Sequence, residues 1–163
     1  MLIFGLMLCL VYKNAVAQQP AGDFTTIMLD GQVTSRKVED MDANNILMVE
    51  KLVSPMEVGS SRNINLIKVI TKPHAIYEYQ GKLSAFSKEY RAYLDGSNRK
   101  DDELMYILNG ILLQQRDSII KKLYDIPPKQ LKKVIYLPNP GIFNKVYTPF
   151  NKCAVIITTK NKN

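Results

Sequence analysis

The sequence predicts a mixed α/β fold (α+β mixed), built as two related β-β-α-β-β modules joined by an amphipathic helix. Three observations carry this. Short blocks recur in the same order in the two halves, each copy has an apolar run ending in Asp-Gly or Asn-Gly, and each closes in a β-branched run. Ile27-Met28-Leu29-Asp30-Gly31 matches Tyr106-Ile107-Leu108-Asn109-Gly110. Met41 through Pro55 aligns without a gap on Ile126 through Pro140, placing Ile46 on Leu131, Val49 on Val134 and Leu52 on Leu137. Leu66–Lys72 then matches Ala154–Lys160. Internal similarity in a conserved order marks a duplicated supersecondary unit. The predicted organisation is a leader over 1–17, a first module over 18–75, a helical linker over 76–103 and a second module over 104–163.

At the start of the chain, Leu2 through Val11 form an apolar run interrupted only by Gly5. It falls short of the roughly 20 apolar residues that span a bilayer. Ala15-Val16-Ala17, followed by Gln18-Gln19-Pro20, is the small-x-small pattern of a cleaved secretory signal. The expectation is export with cleavage after Ala17, and no transmembrane segment after cleavage. No Lys or Arg precedes the apolar run. Cys9 follows Leu8, which is not the small residue that lipid attachment needs.

In each module, apolar residues run into a turn whose two positions need positive φ, which Asp, Asn and Gly tolerate. Thr26–Leu29 and Leu104–Leu108 are therefore predicted strands, returning through Gln32-Val33 and Ile111–Leu113. Asp30 and Asn109 read as turn residues rather than as active-site groups. A helix is predicted next, over Arg36–Met41 capped by Ser35, and over Ser118–Tyr124 capped by Asp117. A short helical turn follows at Asp42–Ile46 and at Pro127–Leu131. Leu47–Val53 with Leu66–Thr71, and Lys133–Leu137 with Ala154–Thr159, complete the strands. Between the modules, Ala75–Tyr79 reads as a further strand. Leu83, Phe86, Tyr90, Tyr93 and Leu94 recur at helical spacing, predicting a helix over Ser84–Leu94 stopped by Asp95-Gly96, with the stripe packed in the core. Ser97–Glu103 reads as a polar loop.

These motifs resemble the plug domain of TonB-dependent outer-membrane receptors of the Bacteroidetes type. The resemblance rests on Ile27–Gly31, Asp42–Leu52 and Asn65–Lys72, repeated as Leu104–Gly110, Ile126–Leu137 and Cys153–Lys160. Ala154–Lys160 is most similar to that family's closing strand, and the Ala-Val-Ala-Gln-Gln step is similar to its export signals. The resemblance implies plug-like modules, an outer-membrane or periplasmic protein partner, and action at the periplasmic face of the outer membrane. After Lys160 come only Asn161-Lys162-Asn163, so the expectation is a module without the receptor barrel. The family's glycine-rich loop survives in part as Gly59-Ser60-Ser61, while Asn144–Asn151 has no glycine, and no binding residues are carried over.

The net charge of +7 comes from scattered Lys and Arg, without an Arg-rich block interleaved with aromatics, and nucleic acid is not an expected partner. His74 is the one histidine, so a triad or a His/Cys metal cluster of ordinary spacing has little to draw on. His74 reads as an exposed loop imidazole. Glu39-Asp40 with Asp42, and Asp101-Asp102-Glu103, read as capping or solvated charge. Cys153 reads as a buried small residue rather than a reactive thiol. No pair of glycines has the spacing of a phosphate or dinucleotide loop. No catalytic, cofactor-binding or metal-ligating residue is assigned, and no cofactor is expected. The expectation is a non-catalytic exported interaction module. The rivals are a degenerate receptor fragment without a role of its own and a periplasmic enzyme using His74.

Overall fold

The computed structural model describes residues 24–55, 63–138 and 153–160. The signal segment, its cleavage step, Cys9, Gly59-Ser60-Ser61 and Asn144–Asn151 lie outside the described residues. Among the described residues the fold is mixed α/β, with two four-stranded mixed sheets and three α-helices. The first sheet contains β1 (Phe24–Leu29), β2 (Gln32–Thr34), β3 (Ile46–Pro55) and β4 (Asn63–Thr71) in the order β2-β1-β4-β3. Helices α1 (Lys72–Ser84) and α2 (Lys88–Gly96) follow. The second sheet contains β5 (Met105–Leu108), β6 (Ile111–Leu112), β7 (Leu131–Leu137) and β8 (Ala154–Thr159) in the order β6-β5-β8-β7, with α3 (Arg116–Asp125) between β6 and β7.

The two sheets share more than strand order. In each, the hairpin and the last pair are antiparallel, and the first strand runs parallel to the last. Val49 faces Val69 as Val134 faces Ile157, and Ile27 faces Ile67 as Tyr106 faces Val155. Both third strands carry a bulge at the same place, between Ile46 and Met48 and between Leu131 and Lys133. The turn chemistry explains the hairpins. Asp30 and Gly31 have φ of 51° and 84°, and Asn109 and Gly110 have 50° and 83°. Such values suit a two-residue turn that matches strand twist.

The connections depart from the sequence expectation in four places. Arg36–Met41 does not form an α-helix: only the 3-10 turn Val38–Asp40 is present, entered at Lys37 without a side-chain cap. Thr34 Oγ1, not Ser35, takes the Arg36 amide, and this crossover is six residues shorter than its counterpart (Asp30 to Ile46 against Asn109 to Leu131). The second-module helix, expected over Ser118–Tyr124 with Asp117 as cap, instead runs over Arg116–Asp125 and is entered at Gln115, at φ 64°, without a side-chain cap. Ala75–Tyr79 is helix, not strand. Thr71 caps α1 by accepting from the His74 amide, Pro73 sits in the first turn, and Ala75, Tyr79 and Leu83 fall on one buried stripe. The single helix expected over Ser84–Leu94 is broken, because the Ser87 hydroxyl accepts from the Tyr90 amide and starts α2 afresh. α1 therefore runs across the expected module boundary at 75. Elsewhere the short turns Ala43–Asn45 and Pro128–Gln130 fall where expected.

One core holds the helices to the second sheet. Ala75, Tyr79 and Leu83 of α1, Tyr90 and Leu94 of α2, and Ile120 and Leu123 of α3 pack with Tyr106, Val134, Val155 and Ile157. The tyrosine stripe of the linker is core at Tyr90, as expected, while Phe86 is exposed. Of the first sheet's described side chains, only Ile70 enters this core as a buried residue, with Leu47 and Met48 packed against it. α1 and α3 pack side by side, and Lys72 bridges to Asp117 at 2.8 Å.

Candidate functional site

The densest polar constellation surrounds Asp101, which is 1% exposed. The sequence expectation of a solvated charge here is overturned for Asp101 but holds for Asp102 and Glu103, which are exposed. The Tyr79 and Tyr106 hydroxyls both donate to Asp101 Oδ2, the second at 2.7 Å. Arg116 Nη2 donates to Asp101 Oδ1 at 2.5 Å and reaches Asp102 at 3.0 Å. The Tyr90 and Tyr106 hydroxyls are 2.9 Å apart. Since a phenol has one proton and that of Tyr106 goes to Asp101, Tyr90 is the donor of this pair. Three elements, α1, β5 and α3, therefore converge on one carboxylate, and α2 joins them through Tyr106.

Electrostatics define what this cluster can do. Burial pushes the Asp101 carboxyl up, but the Tyr79 and Tyr106 hydrogen bonds and the Arg116 charge more than offset it, leaving it below the usual carboxylate range. Burial, with the negative charge of Asp101 added, pushes Tyr79, Tyr90 and Tyr106 above the ordinary phenol value. The carboxylate stays ionised with its oxygens engaged, and the phenols stay protonated. This is an internal tie between helices and sheet, not a group poised to exchange protons near neutrality.

The other residues singled out from sequence are dispersed. His74 lies in the first turn of α1, half-buried, rather than in a loop, and no hydrogen bond or ion pair joins its imidazole to another described residue. Asp42 is a cap, accepting from the Asn44 amide at 3.0 Å and from Asn45 Nδ2 at 2.8 Å. Cys153 is half-buried, with its thiol donating to the Pro138 carbonyl at 3.0 Å. Asp30 does more than shape its turn. It accepts from the Thr71 amide and hydroxyl, both at 2.8 Å, as Asn109 Oδ1 accepts from the Thr159 amide at 2.9 Å and Asn109 Nδ2 donates to Thr159 Oγ1 at 2.8 Å. Among the described residues, no group of three or more His, Cys, Asp or Glu is arranged to hold a metal ion.

Two open hollows repeat with the modules. One, of about 400 Å³, lies between Leu29, Asp40, Met41 and Asn45. The other, of about 430 Å³, lies between the matching Leu108, Asp125, Ile126 and Gln130. Both are shallow consequences of the shared topology. The larger surface feature is apolar. Val49 and Val53 of β3 are 51% and 57% exposed, whereas Val134, the counterpart of Val49, is 6% exposed. Sequence reasoning missed this face because the two copies read alike in their strands. The one available signal was the shorter first crossover. No helix among the described residues is long and apolar enough to cross a membrane. Comparison with protein-family models, curated proteins and solved structures returns no match.

Proposed function

We propose that this chain is a non-catalytic, exported, plug-like interaction module, acting in the periplasm with outer-membrane receptor or transport components. The observation that carries this reading is the exposure of the apolar side chains Val49, Leu52 and Val53 along β3, whereas Val134, the counterpart of Val49 in the second sheet, is buried. A contiguous patch of exposed apolar side chains marks a surface that meets a partner. The plug resemblance of Ile27–Gly31, Asp42–Leu52 and Asn65–Lys72, with their repeats, supplies the class of partner. The leader over 1–17 supplies the compartment.

Affinity capture with the tagged full chain from detergent-solubilised envelopes tests this reading. Enrichment of an outer-membrane barrel or an energy-coupling protein over a mock capture is the expected result. Recovery of abundant soluble proteins alone would count against it. Mass spectrometry of the protein isolated from cells is expected to find Gln18 at its N-terminus, and an intact leader would remove the export argument.

A further inference from the structure

We infer that the start of α3 is a strained latch: the Arg116–Asp101 ion pair holds Gln115 in an unfavourable backbone conformation, and opening the pair releases the first turn of the helix. Gln115 has φ 64° and ψ 115°. For a residue with a Cβ, the small left-handed well lies at ψ of about 30–60°, and Gln115 falls outside it. The other non-glycine residues of positive φ have local reasons for it. Asp30 and Asn109 sit in two-residue turns that require it, and Asn98 and Arg99 follow the end of α2, where a left-handed residue is a common stop. The Gln115 side chain is exposed and makes no hydrogen bond among the described residues, so nothing in the residue itself selects this conformation.

The anchors on either side impose it. Leu113 is buried, and its amide donates to the Tyr106 carbonyl at 2.8 Å. Arg116 Nη2 donates to Asp101 Oδ1 at 2.5 Å and reaches Asp102 at 3.0 Å, and Asp117 pairs with Lys72 at 2.8 Å. Only Gln114 and Gln115 remain to turn the chain from the hairpin into the helix. The Asp101 tie is the rigid one. Asp101 is 1% exposed and shared with two phenols, so it cannot follow Arg116 outward, whereas Asp117 is exposed and its pair with Lys72 is a weak restraint. The first module is an internal control. Its crossover has no α-helix and no such ion pair, and among its described residues positive φ is confined to Asp30-Gly31. The strained residue is thus present in the copy that has the ion pair and absent from the copy that lacks it. Such a conformation persists only where its surroundings over-determine it. With the pair open, Gln115 returns to negative φ and the first turn of α3 moves away from Asp101, while Ile120 and Leu123 keep the rest of the helix seated in the core.

Thermal unfolding of the full chain, followed by circular dichroism, tests the strain. Gln115→Gly is expected to raise Tm by about 2–4 °C, because glycine tolerates positive φ. Gln114→Gly, at an exposed neighbour whose φ is not positive, should lower it. In an Arg116→Gln background the gain from Gln115→Gly should vanish, since the strain has already relaxed; if that variant does not fold, Asp101→Asn supplies the background. Limited trypsin digestion reads the release itself, because Arg116 is a cleavage site. In Asp101→Asn, cleavage after Arg116 should quicken roughly tenfold relative to cleavage after Lys82, which the α3 carbonyls hold in place. A fall in Tm for Gln115→Gly like that for Gln114→Gly overturns the proposal, and that comparison needs no variant of the ion pair. An equal gain in both backgrounds, or cleavage at Arg116 and Lys82 rising together, overturns it as well.

Discussion

Asp101 shows how one buried carboxylate can decide a local structure. Leaving it buried without Arg116, or leaving two phenols without their acceptor, exposes the full cost of desolvation. Asp101→Asn is expected to lower stability by roughly 2–4 kcal/mol in urea unfolding, since the amide cannot match the charge of Arg116. The pH dependence follows from direction. The folded Asp101 carboxyl lies below its ordinary value, so its contribution is present above about pH 4 and is lost as pH falls through the folded value. Acid unfolding followed by circular dichroism should therefore be shallower in Asp101→Asn. The three phenols have raised values, so their contribution holds below about pH 10 and is lost as pH rises through their folded values. Spectrophotometric titration should show the three phenols ionising together with unfolding. None of this was legible in the sequence. Tyr79, Tyr90, Asp101, Tyr106 and Arg116 have no common spacing, and Asp101 sits in an acidic run that reads as solvated.

At the level of elements, turns and strands were legible and helix ends were not. A two-residue turn is a local event, set by which residues accept positive φ, so Asp30-Gly31 and Asn109-Gly110 fall where their chemistry puts them. Asn109 performs at Thr159 the task that Asp30 performs at Thr71. Asp30→Asn should accordingly stay within about 0.5 kcal/mol of the unaltered protein, while Asp30→Ala costs about 1–2 kcal/mol, both read from thermal or urea unfolding. Helix limits depend on competing caps. Thr71 with Pro73 wins Ala75–Tyr79 for α1 against its strand-like composition, and Ser87 divides what reads as one helix into two. The C-terminus of α3 depends on a distant side chain. Lys82 Nζ of α1 donates to the carbonyls of Leu123, Tyr124 and Ile126 at 3.2, 2.5 and 3.0 Å. A cation there satisfies unpaired carbonyls and meets the negative end of the helix dipole. Lys82→Met should cost about 1–2 kcal/mol and increase fraying of α3 in hydrogen exchange.

Across the whole molecule, the modules are alike in topology and unlike in burial. The second sheet is backed by three helices, and among the described side chains of the first sheet only Ile70 is buried in that core. Amide exchange tracks local opening, which is easiest where few apolar contacts are lost. Hydrogen exchange with mass spectrometry should show β1 and β3 exchanging well before β5, β7 and β8 at neutral pH. Equal protection of the two sheets would contradict this ordering.

The amino-acid order alone determined the duplication, the hairpin turns and the positions of the strands, because turn residues and alternating apolar positions act over a few residues; the strand order and the registers came only with the folded sheets. Tertiary structure alone decided which sheet acquired a cover and where a buried charge could sit. Those outcomes depend on groups tens of residues apart, such as Lys82 with the end of α3 and Tyr79 with Asp101, which meet only once the chain has folded.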